Sequence, residues 1–305
     1  MLRFAAARVL GLVPTLLLLV TAAFFVIRLA PGGPFGDERA IQPQVRANLE
    51  AAYGLDAPLT TQYLRYVGGV LRGDFGPSFK HKDTPVIELL AGGRPVSAAL
   101  GAAALLLALL LGVPLGIGAA LRRGRATDHV AVALAALAIA LPAFVLGPVL
   151  ALVFALRLDW LPAAGWGDSL DQAVLPVVTL ALPAMAYVMR LVRAGLLEVL
   201  GSDAIRAARA RGLGRWRLVV GHALRPAMLP LVAWLGPATA FVLTGSLIVE
   251  TVFSIPGAGR FLVEGALNRD YTLVMGMIVV YGTITLLANL LADLVYGWLD
   301  PRIRH

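Results

Sequence analysis

Six uncharged, apolar runs punctuate the chain: Val9–Ile27, Val96–Leu121, Val130–Leu156, Ala173–Met189, Pro226–Val249 and Tyr271–Ala292. A bilayer core takes about 20 residues of helix, and all but the 17-residue fourth run reach or approach that length. The runs are apolar on every face, without the alternation over ~10-residue segments that marks a membrane-spanning strand. In lipid a non-barrel segment must satisfy its own backbone, so each run predicts a helix. The fold expected is all-α: a polytopic membrane protein with six transmembrane helices. The first run, at 19 residues, exceeds the ~7–15 of a signal-peptide core and reads as a retained anchor.

Between the runs the pattern changes. Residues 1–28 form the N-terminal transmembrane helix, 29–95 one large insertion, and 96–305 a five-helix core. Within the insertion, Ile41–Tyr53 and Leu59–Leu71 have the periodicity of short helices, and Pro58 suits a helix start. GDFGPSFKHKD then predicts a turn-rich loop, with Gly73, Gly76 and Pro77 as its punctuation. Ser78 within it is expected to be reachable from the outer side. In the core, residues 198–225 form the longest polar interval.

Composition agrees with this pattern. Hydrophobic residues make up 59% of the chain and charged ones 14%, with mean hydropathy +0.82, against roughly 25% charged in soluble domains. Charge then orients the spans. With the N-terminus inside, the cytoplasmic segments carry 15 Arg and 5 acids, the outer ones 9 Arg, 2 Lys and 13 acids. That is net +10 inside and −2 outside, accounting for the overall +8, as the positive-inside bias requires. Both termini are therefore expected in the cytoplasm, with the insertion outside it. The basic balance needs no nucleic acid to explain it.

The chemistry absent from the chain narrows its role. There is no cysteine, and the four histidines (His81, His129, His222, His305) have no ligand spacing, so no metal site and no catalytic residues are expected. A phosphate-binding loop needs Gly followed by Lys, but Lys80 and Lys82 follow Phe79 and His81. No span carries a mid-membrane charge that would relay protons or ions. Transport by this chain would need its energy from a partner.

The densest positive charge lies in SDAIRAARARGLGRWRLVVGHALRP (202–226). Ser202 or Asp203 can start a helix there, and Gly212 is placed to end it. Ala204, Ala207, Ala208 and Arg211 share one helical face, small enough for a partner to seat closely. A lipid anchor would bury Leu, Phe or Trp, and before Gly212 only Ile205 is large. Docking onto protein is the better reading. On the fifth run Thr239, Ser246 and Glu250 also share a face, as would the wall of a wet path, though hydroxyls bonded to their own helix and a boundary carboxyl would give the same spacing.

AARARG at 207–212 resembles the coupling loop of membrane subunits of bacterial ATP-binding-cassette importers. Ala207, Ala208 and Gly212 match its pattern, whereas Arg206 stands at its usual Glu and HALR (222–225) at its closing Ile-x-Leu-Pro, as in the peptide-importing branch. RLAPGGPF (28–35), GDFGPSFK (73–80), LPAAGW (161–166), ETVFSIPGAGR (250–260), ALNRDYTLVMG (266–276) and LDPRIR (299–304) extend the resemblance to an oligopeptide permease subunit. It implies a non-catalytic chain of the bacterial inner membrane that moves oligopeptides, or on the same scaffold dipeptides, glutathione, nickel chelates or sugars. It also implies four partners besides lipid: a second homologous permease, two ATPases holding ATP and Mg, and an extracytoplasmic peptide-binding protein. Ser202, Asp203, Arg206, Ala207, Ala208, Arg211 and Gly212 would then form the ATPase-coupling element, and Thr239, Ser246 and Glu250 the translocation path.

Overall fold

The computed structural model describes residues 2–29, 33, 43–81 and 84–299. Most of RLAPGGPF, most of LDPRIR and the first two residues of the predicted 41–53 helix lie outside these. Among the described residues the structure is helical, with one isolated bridge between Pro77 and Pro85. Five helices are long and apolar enough to cross a membrane, and one bent pair could make a sixth.

The first apolar run forms α1 (Leu2–Leu29). The insertion supplies α2 (Pro43–Ala52) and α3 (Leu59–Val70), close to the positions their periodicity predicts. The second run forms α4 (Val86–Leu121), which starts ten residues before Val96 and carries Arg94 and Pro95 inside it. Hydropathy loses the helix where charge begins, but the backbone does not.

The third run is not one straight span. It divides into α5 (Ala126–Ala140) and α6 (Ala143–Leu150), which continues as a π-helical stretch through Arg157. The two halves meet at 105°. The physical reason is Pro142: a proline pushes the residue before it out of the helical region, and Leu141 is extended at φ −83°, ψ 115°.

The fourth run, shortest by hydropathy, becomes α7 (Asp171–Leu200), 30 residues long. Arg190 and Arg193 end the apolar run but not the helix. Arg193 is held by Asp128 of α5, with Nε donating to Oδ1 at 2.6 Å and Nη2 to Oδ2 at 2.9 Å. The amide of Gly124 donates to the same carboxylate, so the α4–α5 turn is fastened to the side of α7. α4 and α7 lie backbone against backbone. A Cβ on Gly112 would sit 2.8 Å from the Met185 carbonyl, and one on Gly116 2.6 Å from that of Met189. The small-residue pair allows this approach.

After α7 come α8 (Asp203–Ala210), α9 (Arg215–Leu218), a π-helical stretch (Val219–Ala223) and α10 (Leu224–Ala227). The bundle closes with α11 (Leu229–Val252), α12 (Gly259–Leu267) and α13 (Tyr271–Leu299). Asn289, the one amide deep in the last run, lies against Gly236 of α11.

Two of the quoted motifs meet at one end of the bundle. Asp270, fully buried, stands just before α13. Its Oδ1 accepts from the Leu273 amide at 3.1 Å and the Thr272 hydroxyl at 3.0 Å. Its Oδ2 accepts from the Ser78 hydroxyl and the Lys80 amide. GDFGPSFK is thus buttoned down by the Asp of NRDYT. Ser78 is fully buried, which corrects its expected accessibility. Asp270→Ala leaves the Leu273 amide and the Ser78 hydroxyl without their acceptor, at about 1–3 kcal/mol each, while the Thr272 hydroxyl and Lys80 amide keep the Pro77 carbonyl and Ser78 Oγ; the loop should loosen. Lys80 and Lys82 are the chain's two lysines, so cleavage after Lys80 by a lysine-specific protease reads this directly: it should be slower in the native chain than in the variant.

Candidate functional site: a basic helix beside the bundle

The polar interval after α7 folds back on the bundle through its few apolar side chains. Ile205 and Ala208 of α8 are 3% and 4% exposed, packed with Ala120 of α4, Leu196 of α7, Leu218 and Ala227. Ala204, Ala207, Arg206, Arg209 and Arg211 are exposed. The predicted flat face is therefore rotated. Ala208 belongs to the inner side, while Ala204, Ala207 and Arg211 keep the outer one. The spacing is right, but a sequence cannot tell which side of a small-residue helix its own bundle claims.

The ends form as the residues direct, with one difference. Ser202 has the extended backbone of an N-cap (φ −73°, ψ 156°), yet its hydroxyl donates back to the Val199 carbonyl at 2.7 Å instead of capping α8. Asp203 supplies the negative charge in the first turn, where the helix dipole favours it, and pairs with Arg206. Gly212 follows at φ 83°, in the left-handed region that ends the helix.

The six arginines of the interval have unequal duties. Arg206 is spent on Asp203, Arg215 donates to the Leu121 carbonyl at 2.9 Å, and Arg225 lies over the Trp298 ring. Arg209 borders a cleft of about 350 Å³ shared with Leu121, Leu200 and Leu213. Arg209, Arg211 and Arg217 are all exposed. The surface next to Ala207 is thus basic, nearly flat and open.

The fifth-run residues do not share one open face. Thr239 borders a cleft of about 260 Å³ between α4, α11 and α13 with Ala98, Gly101, Ala102 and Leu243, and its hydroxyl donates to the Leu235 carbonyl. Ser246 is fully buried and bonds to the Leu243 carbonyl. Glu250 is 1% exposed. Its Oε1 accepts from the Ser97 hydroxyl at 2.6 Å and its Oε2 from the Gly259 amide at 2.7 Å, while the Ser97 oxygen accepts from the Ala258 amide. Glu250 thereby ties α11, α4 and the start of α12 together. The trace of this network in the sequence is the run PGAG: a Cβ on Gly257 or Gly259 would collide with the Glu250 carboxyl group.

Comparison with known proteins decides the family. Residues 112–305 match the family described as binding-protein-dependent transport system inner membrane component, and residues 1–94 match its N-terminal counterpart. The chain belongs to this family. Its permeases include the oligopeptide transport system permease protein OppB of Haemophilus influenzae, 46% identical over the full length of both chains. The dipeptide transport system permease protein DppB of Bacillus subtilis is 42% identical, covering all of this chain and 98% of the other. Among solved structures, an inward-facing form of the MetNI methionine ABC transporter aligns at a TM-score of 0.55 and 20% identity. It covers 70% of this chain and 97% of that one, and so shares the fold. As a permease of this family, the chain is a multi-pass protein of the inner membrane.

Proposed function

We propose that this chain is the membrane-spanning subunit of an ATP-driven importer that carries oligopeptides into the cytoplasm. The end-to-end 46% identity to an oligopeptide permease carries the solute class. The exposed, small-residue face of α8 beside exposed arginines supports the means of coupling. In this reading α8 seats in a cleft of a partner ATPase, with Ala204 and Ala207 allowing close approach and Arg209 and Arg211 meeting acidic groups. Closure of two ATPases around ATP and Mg displaces α8. The displacement passes into α7, which only Gly201 and Ser202 separate from α8. The spans then alternate between inward- and outward-open arrangements, with a second homologous permease completing the path and an extracytoplasmic binding protein delivering peptide. The chain itself supplies no catalytic group and binds no nucleotide.

Thr239 is the member of the fifth-run set that we assign to the path. Peptides share charged ends and differ in side chain, so weakly polar, sparse walls suit them. Ser246 and Glu250 act on the wall from behind.

Both termini are cytoplasmic in this reading and the insertion faces out. The native chain has no cysteine, so single cysteines report sidedness cleanly. Ser169, exposed in the turn before α7, replaces Ser78 as the outer probe, and Ala210, exposed on α8, is the inner one. Ser169→Cys should react with an impermeant thiol reagent on intact cells, and Ala210→Cys only after the membrane is opened. The opposite pattern would move α8 away from any cytoplasmic ATPase and overturn the reading.

A further inference from the structure

A second polar site lies at the other end of the bundle from α8. It is a cavity of about 260 Å³ between the end of α1, the length of α3 and the loop that precedes α4. Three arginines border it, Arg28, Arg65 and Arg72, against one acid, Asp74. Asp74 Oδ1 accepts from the Gly76 amide at 2.8 Å, so the border carries three positive groups and one negative.

Three buried polar atoms at this cavity lack a partner: Arg28 Nε, Gln62 Oε1 and the Tyr66 hydroxyl. Gln62 is 8% exposed. Its amide nitrogen donates to the carbonyls of Leu55 and Ala57 at 2.9 and 2.7 Å. Those two bonds fix the amide's orientation and leave Oε1 sealed inside the protein. The three guanidinium groups at the cavity ask for an anion.

Its level in the bilayer says where such a ligand comes from. α3 lies against the last turns of α1, where Tyr63 shares a 2.7 Å hydrogen bond with Thr21 and its ring stacks on Phe25. Thr21 is seven residues before Arg28, about 10 Å deeper along the helix. Large apolar side chains beside the arginines are open: Leu64 is 68% exposed and Leu71 82% on or next to α3, and Val26 69% on α1. A row of arginines bordered by exposed leucines is how a helix lies at the headgroup boundary. The same arrangement matches a phospholipid, phosphate at the arginines and acyl chains along Val26, Leu64 and Leu71.

We infer that this cavity binds the headgroup of an anionic phospholipid, such as phosphatidylglycerol. The phosphate oxygens accept from Arg28, Arg65 and Arg72, a geometry guanidinium groups favour. Choline and ethanolamine headgroups are net neutral, so both bind more weakly. The assignment to the outer leaflet rests on the orientation proposed above.

The test uses the whole importer complex in nanodiscs of phosphatidylcholine, with or without phosphatidylglycerol. Arginine modification by hydroxyphenylglyoxal is mapped by mass spectrometry. Phosphatidylglycerol should slow labelling of Arg28, Arg65 and Arg72 on the order of tenfold, the yield of one charge-assisted contact. Arg217, exposed beyond α8, is the control and should not change. In Arg65→Gln/Arg72→Gln, both surface positions, the protection of Arg28 and the phosphatidylglycerol carried through purification should fall together. Protection by inorganic phosphate in pure phosphatidylcholine would assign the site to a free anion and overturn the lipid. Equal protection by phosphatidylcholine alone, or none by any lipid, would overturn the headgroup assignment. Protection that appears only on adding a peptide or the purified binding protein would make it a substrate or partner site. Retention of the ATPases is followed in the same preparations, and its failure in the native complex would count against the importer reading rather than the cavity.

Discussion

Ala207→Glu is expected to abolish peptide uptake and to strip the ATPases from the purified complex, with little change in the permease itself. Residue 207 is exposed on α8 beside Arg209 and Arg211, so a longer acidic side chain meets nothing within its own chain. It fills the close approach that two alanines leave and cancels positive charge where an acidic partner surface would sit. Ala208→Glu should fail differently. That residue is 4% exposed against Ala120, Leu196 and Leu218, and burying a carboxylate there without a partner costs several kcal/mol. It should lower the yield of folded permease before docking can be measured. Thermal stability and ATPase retention, read side by side, separate the two. If Ala207→Glu keeps its ATPases and its uptake, α8 is not the coupling element.

Glu250→Leu should be the most damaging substitution inside the spans. It removes both acceptors that face Ser97 and the Gly259 amide, and each stranded buried donor costs about 1–3 kcal/mol. The hydroxyl of Ser97, still bound by the Ala258 amide, would lose its carboxylate acceptor. Glu250→Gln keeps one acceptor and should lie between Leu and the native chain in thermal stability. Gly257→Ala offers a separate test, because its Cβ would enter the same space from the opposite side. All three should loosen the junction of α4, α11 and α12 and reduce uptake together with stability. Native stability in Glu250→Leu would mean that the network is incidental.

Much of this was legible in the chain. Long apolar runs name helices because lipid leaves them no other backbone partner, and α2, α3 and α8 fall within about two residues of their predicted bounds. The failures share a cause: hydropathy reports what a side chain costs in lipid, not what the backbone does. α4 starts before its apolar run and α7 outlasts its own, the latter because Arg193 finds Asp128. A single run hides the 105° turn at Pro142. Thr239, Ser246 and Glu250 do lie on one side of a helix, but Glu250 is taken up by Ser97, 153 residues away, and by the Gly259 amide beyond the end of α11. Likewise Ser78 looks like surface until Asp270, 192 residues on, reaches it.

The contact of α4 with α7 has a mechanical consequence. Helices separated by large side chains can slide, because rotamers absorb the movement. Gly112 and Gly116 leave no such cushion, and the carbonyls of Met185 and Met189 sit where their side chains would be. At its far end α7 meets α10 in the same way, with Gly195 pressed to the Ala227 carbonyl. α7 is thus a stiff arm of 30 residues, about 45 Å long, clamped along its length to α4. A tilt begun at α8 cannot dissipate by shear within this pair, so a small angular input at one surface reaches the opposite one amplified by the length of the arm.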